Sequence, residues 1–239
     1  GAEPLPGDDF GALAFSSDSR KLVYSYIEGG KEYIIHNGEK KQVYKRNGRI
    51  FVSWSGYRIA YTAQRGSREV LVIDDEESDL YHDIIPIGFS SDGHMLYCAK
   101  SGSYWQVYRG KEEVSQTYKK IIETKINLEG TAAAVLAEEF SGKQVSVLIS
   151  DDYYEPLVGR RYEWAGDLAL HPFYPLIAYK AFHNGRYIVV YSSAEFEGGE
   201  ETGPPRFTHD GSQMYFIGKN FHSFINIDGR KYDLKMDMS

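Results

Sequence analysis

The chain has 239 residues, with 27 Lys and Arg against 34 Asp and Glu, and its formal net charge of -7 excludes the broad basic footprint that nucleic-acid binding needs. Its single cysteine, Cys98, excludes an intrachain disulfide and a multi-cysteine metal site, and no apolar stretch approaches the roughly 20 residues that a membrane-crossing helix requires. Aromatic residues at 15%, led by 20 Tyr and accompanied by 24 Gly, suit short pleated strands joined by frequent turns.

The chain opens on Gly-Ala-Glu-Pro rather than Met, which fits a removed secretory signal or a trimmed tag. The first predicted elements are four short strands over 11–15, 21–27, 32–36 and 42–45. Between the first two lies the phrase Phe15-Ser-Ser-Asp18, which leads into Leu22-Val-Tyr24. It returns as Phe89-Ser-Ser-Asp-Gly93 before Met95-Leu-Tyr97, and as Phe207-Thr-His-Asp-Gly211 before Met214-Tyr-Phe216. Weaker copies fill the gaps. Trp54-Ser-Gly56 precedes Ile59-Ala-Tyr61, Leu128-Glu-Gly130 precedes Ala134-Val-Leu136, and His171-Pro-Phe-Tyr-Pro175 precedes Ile177-Ala-Tyr179. The runs end at 24, 61, 97, 136, 179 and 216, which are 37, 36, 39, 43 and 37 residues apart. A period near 40 means one supersecondary unit stacked many times.

In each full copy the Asp carboxylate is expected to accept backbone N–H groups in a tight turn, with Gly supplying a positive φ. The third strands Val70-Leu-Val-Ile73, Val145-Ser-Val-Leu-Ile149 and Tyr187-Ile-Val-Val-Tyr191 are apolar without alternation, so they need cover on both faces. Thr131–Glu139 has strong helix propensity, but the repeat places a second strand there. The expected fold is therefore all-β: a six-bladed β-propeller of four-stranded antiparallel blades, a single domain over 1–239.

The Phe-Ser-x-Asp-Gly phrase followed by an apolar strand and an aromatic residue resembles the WD-like repeats of TolB-type propellers, clearly so at 15–24, 89–97 and 207–216. The resemblance implies six blades, a periplasmic or secreted location and a role as a protein-interaction platform. Related propellers cover prolyl-peptidase active sites or act as lyases. No counterpart of the separate α/β domain that precedes the propeller in TolB-type proteins is expected within the 239 residues, so the partners of those proteins are not implied.

Chemistry is sparse. There is no Gly-x-Ser-x-Gly elbow, no Gly-x-Gly-x-x-Gly and no P-loop. His171 and His209, beside Asp210, fall in corresponding turns of adjacent units, and are expected to be exposed turn histidines rather than metal ligands. Cys98, inside an apolar strand, reads as a buried filler. Asp74-Asp-Glu-Glu77 with Asp79 lacks calcium-loop spacing and reads as a solvated hairpin tip. No cofactor or metal is expected.

The repeat also sorts charge. Turns between second and third strands collect Lys31, Arg65, Arg68, Lys100, Lys143, Arg186 and Lys219 against Glu28, Glu138 and Glu139. Links between units add Lys45, Arg46, Arg160 and Arg161, the last two beside Trp164, offset in part by Glu200 and Glu201. The opposite turns hold Glu39, 74–77, Asp79, Glu112, Glu113, Asp151 and Asp152. A basic end on an acidic protein concentrates anions, and Trp164 and Phe182 offer stacking surface. The expected function is a monomeric, non-catalytic platform whose basic face takes another protein or an anionic glycan. The alternatives are an enzyme with an axial site, such as a lyase on an acidic sugar, and a subunit of an envelope assembly.

Overall fold

The computed structural model describes residues 9–16, 18–43, 46–153 and 155–234, and the chain forms two compact units, Gly1–Glu113 and Val114–Ser239. No described residue is helical, and every strand pair is antiparallel except for one parallel bridge, Gly199 to Lys219.

Unit 1 contains three four-stranded sheets. The first is β1 (Asp9–Phe15), β2 (Leu22–Glu28), β3 (Lys31–His36) and β4 (Glu39–Val43). The second is β5 (Arg46–Val52), β6 (Ile59–Arg65), β7 (Arg68–Ile73) and β8 (Glu76–Glu77). The third is β9 (Asp83–Phe89), β10 (Met95–Ser101), β11 (Tyr104–Arg109) and β12 (Glu112–Glu113). Of the expected strand over 42–45, Tyr44 and Lys45 lie outside the described residues.

Unit 2 begins with a further sheet of four: β13 (Lys120–Ile126), β14 (Ala132–Glu138), β15 (Gln144–Ser150) and β16 (Leu157–Val158). The remaining strands form one nine-stranded sheet. They are β17 (Trp164–Leu170), β18 (Ile177–His183), β19 (Arg186–Tyr191), β20 (Ala194–Gly199), β21 (Glu201–Thr202), β22 (Arg206–Phe207), β23 (Met214–Lys219), β24 (Ser223–Ile227) and β25 (Arg230–Asp233). A single bridge, Gly199 to Lys219, joins its first four strands to the rest. β21 and β22 both pair with β23 and are separated by Pro204 and Pro205, whose missing N–H groups interrupt a ladder.

The apolar third strands are covered on both faces, as their pattern requires. In unit 1, Ile59, Tyr61, Ala63, Val70 and Val72 of the second sheet pack with Val23 and Ile34 of the first, while Ala60 and Leu71 join Tyr81, Met95 and Tyr97 of the third. In unit 2, Tyr179, Ala181, Ile188 and Val190 pack with Ala134, Leu136 and Leu148, while Ala178 and Val189 meet Met214, Phe216 and Phe224. The Ala-rich stretch is a strand, β14, with six of its seven residues buried. Burial between sheets overrides its helix propensity.

The repeated phrase builds the turn it predicts. Asp18 accepts the N–H of Arg20 (3.0 Å) and the Ser16 hydroxyl (2.5 Å). Asp92 accepts His94 N–H (3.2 Å) and the Ser90 hydroxyl (2.5 Å), and Asp210 accepts Ser212 N–H (3.1 Å) and the Thr208 hydroxyl (2.6 Å). His171 departs from expectation, because it is only 3% exposed. Its Nδ1 accepts the N–H groups of Phe173 and Tyr174 (both 3.0 Å), and Nε2 donates to the Gly211 carbonyl (2.9 Å). The imidazole thus replaces the missing Asp of its own turn and ties it to the next one. In unit 1 His36 (2.7 Å to Gly56 O) and Arg58 (2.6 Å to Gly93 O) grip the equivalent carbonyls of the following sheets.

Candidate functional site

In unit 1, Lys31 opens β3, Arg65 and Arg68 face each other across the β6–β7 hairpin, and Lys100 sits opposite Trp105 with its ammonium 5.9 Å from the ring centre. The four cations share the hairpin ends that the repeat assigns them. The charge separation is less complete than the sequence suggests, because Arg65 is ion-paired with Glu77 of the acidic hairpin. That hairpin is also more than a solvated tip. Asp74 accepts Arg58 Nε and Ile59 N–H (3.0 Å each), Asp75 pairs with Lys41 (2.8 Å) and Glu76 with Lys111 (3.1 Å).

Unit 2 brings more of the predicted residues together. Strand register sets Trp164 opposite Phe182, Phe182 opposite Tyr187, Tyr187 opposite Gly199, and Gly199 opposite Lys219. The Gln144–Tyr162 bridge brings Lys143 and Arg161 to the same end, and Arg186 lies beside Tyr187. Arg161 makes a two-pronged contact with Glu139 (2.8 and 3.0 Å), which holds that carboxyl below the usual carboxylate range, and Lys219 pairs with Glu201 (3.4 Å). Arg160 turns elsewhere, to Glu195 (3.1 Å), which also accepts the Tyr162 hydroxyl (2.9 Å). Lys31, Lys143 and Arg186 have no ion-pair partner among the described residues.

Three residues that the sequence reading missed complete this end. Lys180 places its ammonium 5.3 Å from the Trp164 ring centre and 5.1 Å from that of Tyr187, donates to Thr202 O (3.0 Å) and lies 3.4 Å from Asp167 Oδ2. Asp167 sits in the bulge of β17 with a left-handed φ of 57°. Tyr187 meets Trp164 edge-on, with ring centres 6.2 Å apart. A lysine inside the apolar run Ile177–His183 was the available signal, since a charge there needs a partner or a ligand. By contrast, Cys98 is fully buried and its thiol pKa is raised by burial, so it is held protonated.

No family model and no curated protein matches the chain. Its neighbours among solved structures include TolB proteins and β-propellers. TolB from Acinetobacter baumannii is 13% identical with a TM-score of 0.44, covering 96% of this chain and 55% of that one. The putative TolB from Agrobacterium tumefaciens is 13% identical (TM-score 0.45, covering 94% and 91%). The β-propeller domain of the Trilobed protease from Pyrococcus furiosus is 10% identical (TM-score 0.48, covering 95% and 85%). The chain thus spans little more than half of the first of these. Likenesses at this level carry no argument about activity or partners.

Proposed function

We propose that the chain is a non-catalytic binding platform, a monomeric six-bladed propeller over 1–239 whose basic end takes an acidic segment of another protein or an anionic glycan. The observation that carries this reading is the end of unit 2, where a partly exposed aromatic row is flanked by the unpaired cations Lys143 and Arg186 on a protein of net charge -7. A local positive field from cations such as these acts chiefly on association rate and salt dependence. Six blades follow if the nine-stranded sheet is two blades fused through the one bridge at Gly199, with β21 and β22 as the broken first strand of the last. A location outside the cytoplasm follows from the resemblance of the repeat alone.

The test is retention on heparin and polyglutamate resins at low ionic strength. The wild type is expected to bind and to elute as salt rises, because screening shortens the reach of the field. The triple variant Arg65→Gln, Arg68→Gln, Arg186→Gln is expected to flow through. Equal retention of the two proteins would refute the basic-end reading.

A further inference from the structure

We propose that Trp164, Asp167, Lys180 and Tyr187 form a subsite for a pyranose unit of an anionic glycan. The inference rests on the reading of this end as a binding surface and decides between the two partners that reading allows.

The platform is rigid. Trp164 is 39% exposed, stands edge-on to Tyr187, and lies across Gly166, where an added Cβ would fall 2.7 Å from the indole Cζ2. The glycine therefore lets the indole lie flat on its own strand. The polar groups beside it come as a donor and an acceptor together. Lys180 commits N–H groups to Thr202 O and Asp167, and an ammonium has three to give. Asp167 uses Oδ2 toward Lys180, while Oδ1 has no hydrogen-bond partner among the described residues, and its side chain is 40% exposed. An ionised carboxylate offers about four lone-pair sites.

A sugar hydroxyl both donates and accepts, so it can bridge Asp167 and Lys180 while the C–H face of the ring lies on the indole. An acidic peptide fits this arrangement poorly, because its carboxylate would meet Asp167 with nothing to donate, and Lys180 is already half neutralised. The backbone points the same way. Asp167 holds a left-handed φ of 57° that a non-glycine residue adopts at a cost, in a bulge, where strand side chains are re-aimed. The charge of the glycan would be met by Lys143 and Arg186 at the same end.

The experiment measures binding of galacturonate trisaccharide, hyaluronan tetrasaccharide, cellotetraose and hexaglutamate by calorimetry and by tryptophan fluorescence in a Trp54→Phe, Trp105→Phe background, which leaves Trp164 as the sole tryptophan. An acidic saccharide is expected to bind and to perturb the Trp164 emission, with Trp164→Ala losing about tenfold or more in affinity. Asp167→Gly supplies the decisive variant, since it removes the acceptor from a position whose φ glycine adopts freely and should weaken saccharide binding. Saccharide binding unchanged in both variants would overturn the subsite. Hexaglutamate binding without saccharide binding would overturn it while leaving the basic platform standing, and binding of neither would overturn both readings.

Discussion

At residue scale the turns carry the most specific predictions. Gly211 has φ +70°, and an added Cβ would fall on the His171 ring, whereas Gly102 has φ +61° with open space around it. Gly102→Ala is expected to cost about 1 kcal/mol from backbone strain alone. Gly211→Ala adds a clash with a buried ring that cannot move without releasing three hydrogen bonds, so it should cost about 2–4 kcal/mol. Urea midpoints of the two variants check the difference. The turn carboxylates give a pH dependence. The Thr208 hydroxyl and the Ser212 N–H and hydroxyl push Asp210 down to about 2, and Asp92 is also lowered, because bonds from Ser90, His94 and Arg109 outweigh its burial. Depressed folded values mean the stabilisation is fully present above the ordinary value of 3.8 and is lost as pH falls through the folded values. Asp210→Asn should therefore lower the urea midpoint at pH 6, with the gap to wild type narrowing as pH falls from 3.8 towards 2.

At the scale of elements, β14 shows what a repeat can reveal that propensity cannot. Thr131–Glu139 reads as helix by residue type, yet its place in the period made it a strand, and Ala132–Glu138 is one. Its small side chains set how closely the sheets approach. Ala134 is fully buried against the cluster of Leu148, Tyr162 and Tyr179, so Ala134→Leu is expected to overpack and cost about 1–3 kcal/mol, read from the denaturation midpoint. What the sequence left hidden depends on register. β1, β5, β9, β13 and β17 each contain a bulge, and a bulge moves one residue out of alternation without any composition signal. Asp167 escaped notice for that reason. His171 was misjudged because its role, standing in for an Asp across two turns, exists only once both turns are folded. The tyrosines that precede first strands (Tyr81, Tyr118 and Tyr162, all buried) were a legible repeat that the aromatic anchors at strand ends masked.

At the scale of the whole molecule the open question is whether two compact units behave as one domain. Each ends on apolar surface. Leu13, Phe15 and Leu22 of the first sheet are 64%, 58% and 43% exposed, and on the last strands Ile217 and Tyr232 are similarly open. The tryptophans allow a direct measurement, because Trp54 and Trp105 report on unit 1 and Trp164 on unit 2. Trp164→Phe leaves only the first pair, and the double variant Trp54→Phe, Trp105→Phe leaves only Trp164. If the chain is one propeller, guanidinium unfolding followed by fluorescence should give coincident midpoints in the two proteins after allowing for each variant's own shift in circular dichroism. The slope should also match a single cooperative unit of 239 residues, since it scales with the surface exposed. Separate fluorescence transitions within one protein's circular dichroism curve, each with a slope suited to half the chain, would instead mean that the two units fold independently and that the single-domain reading fails.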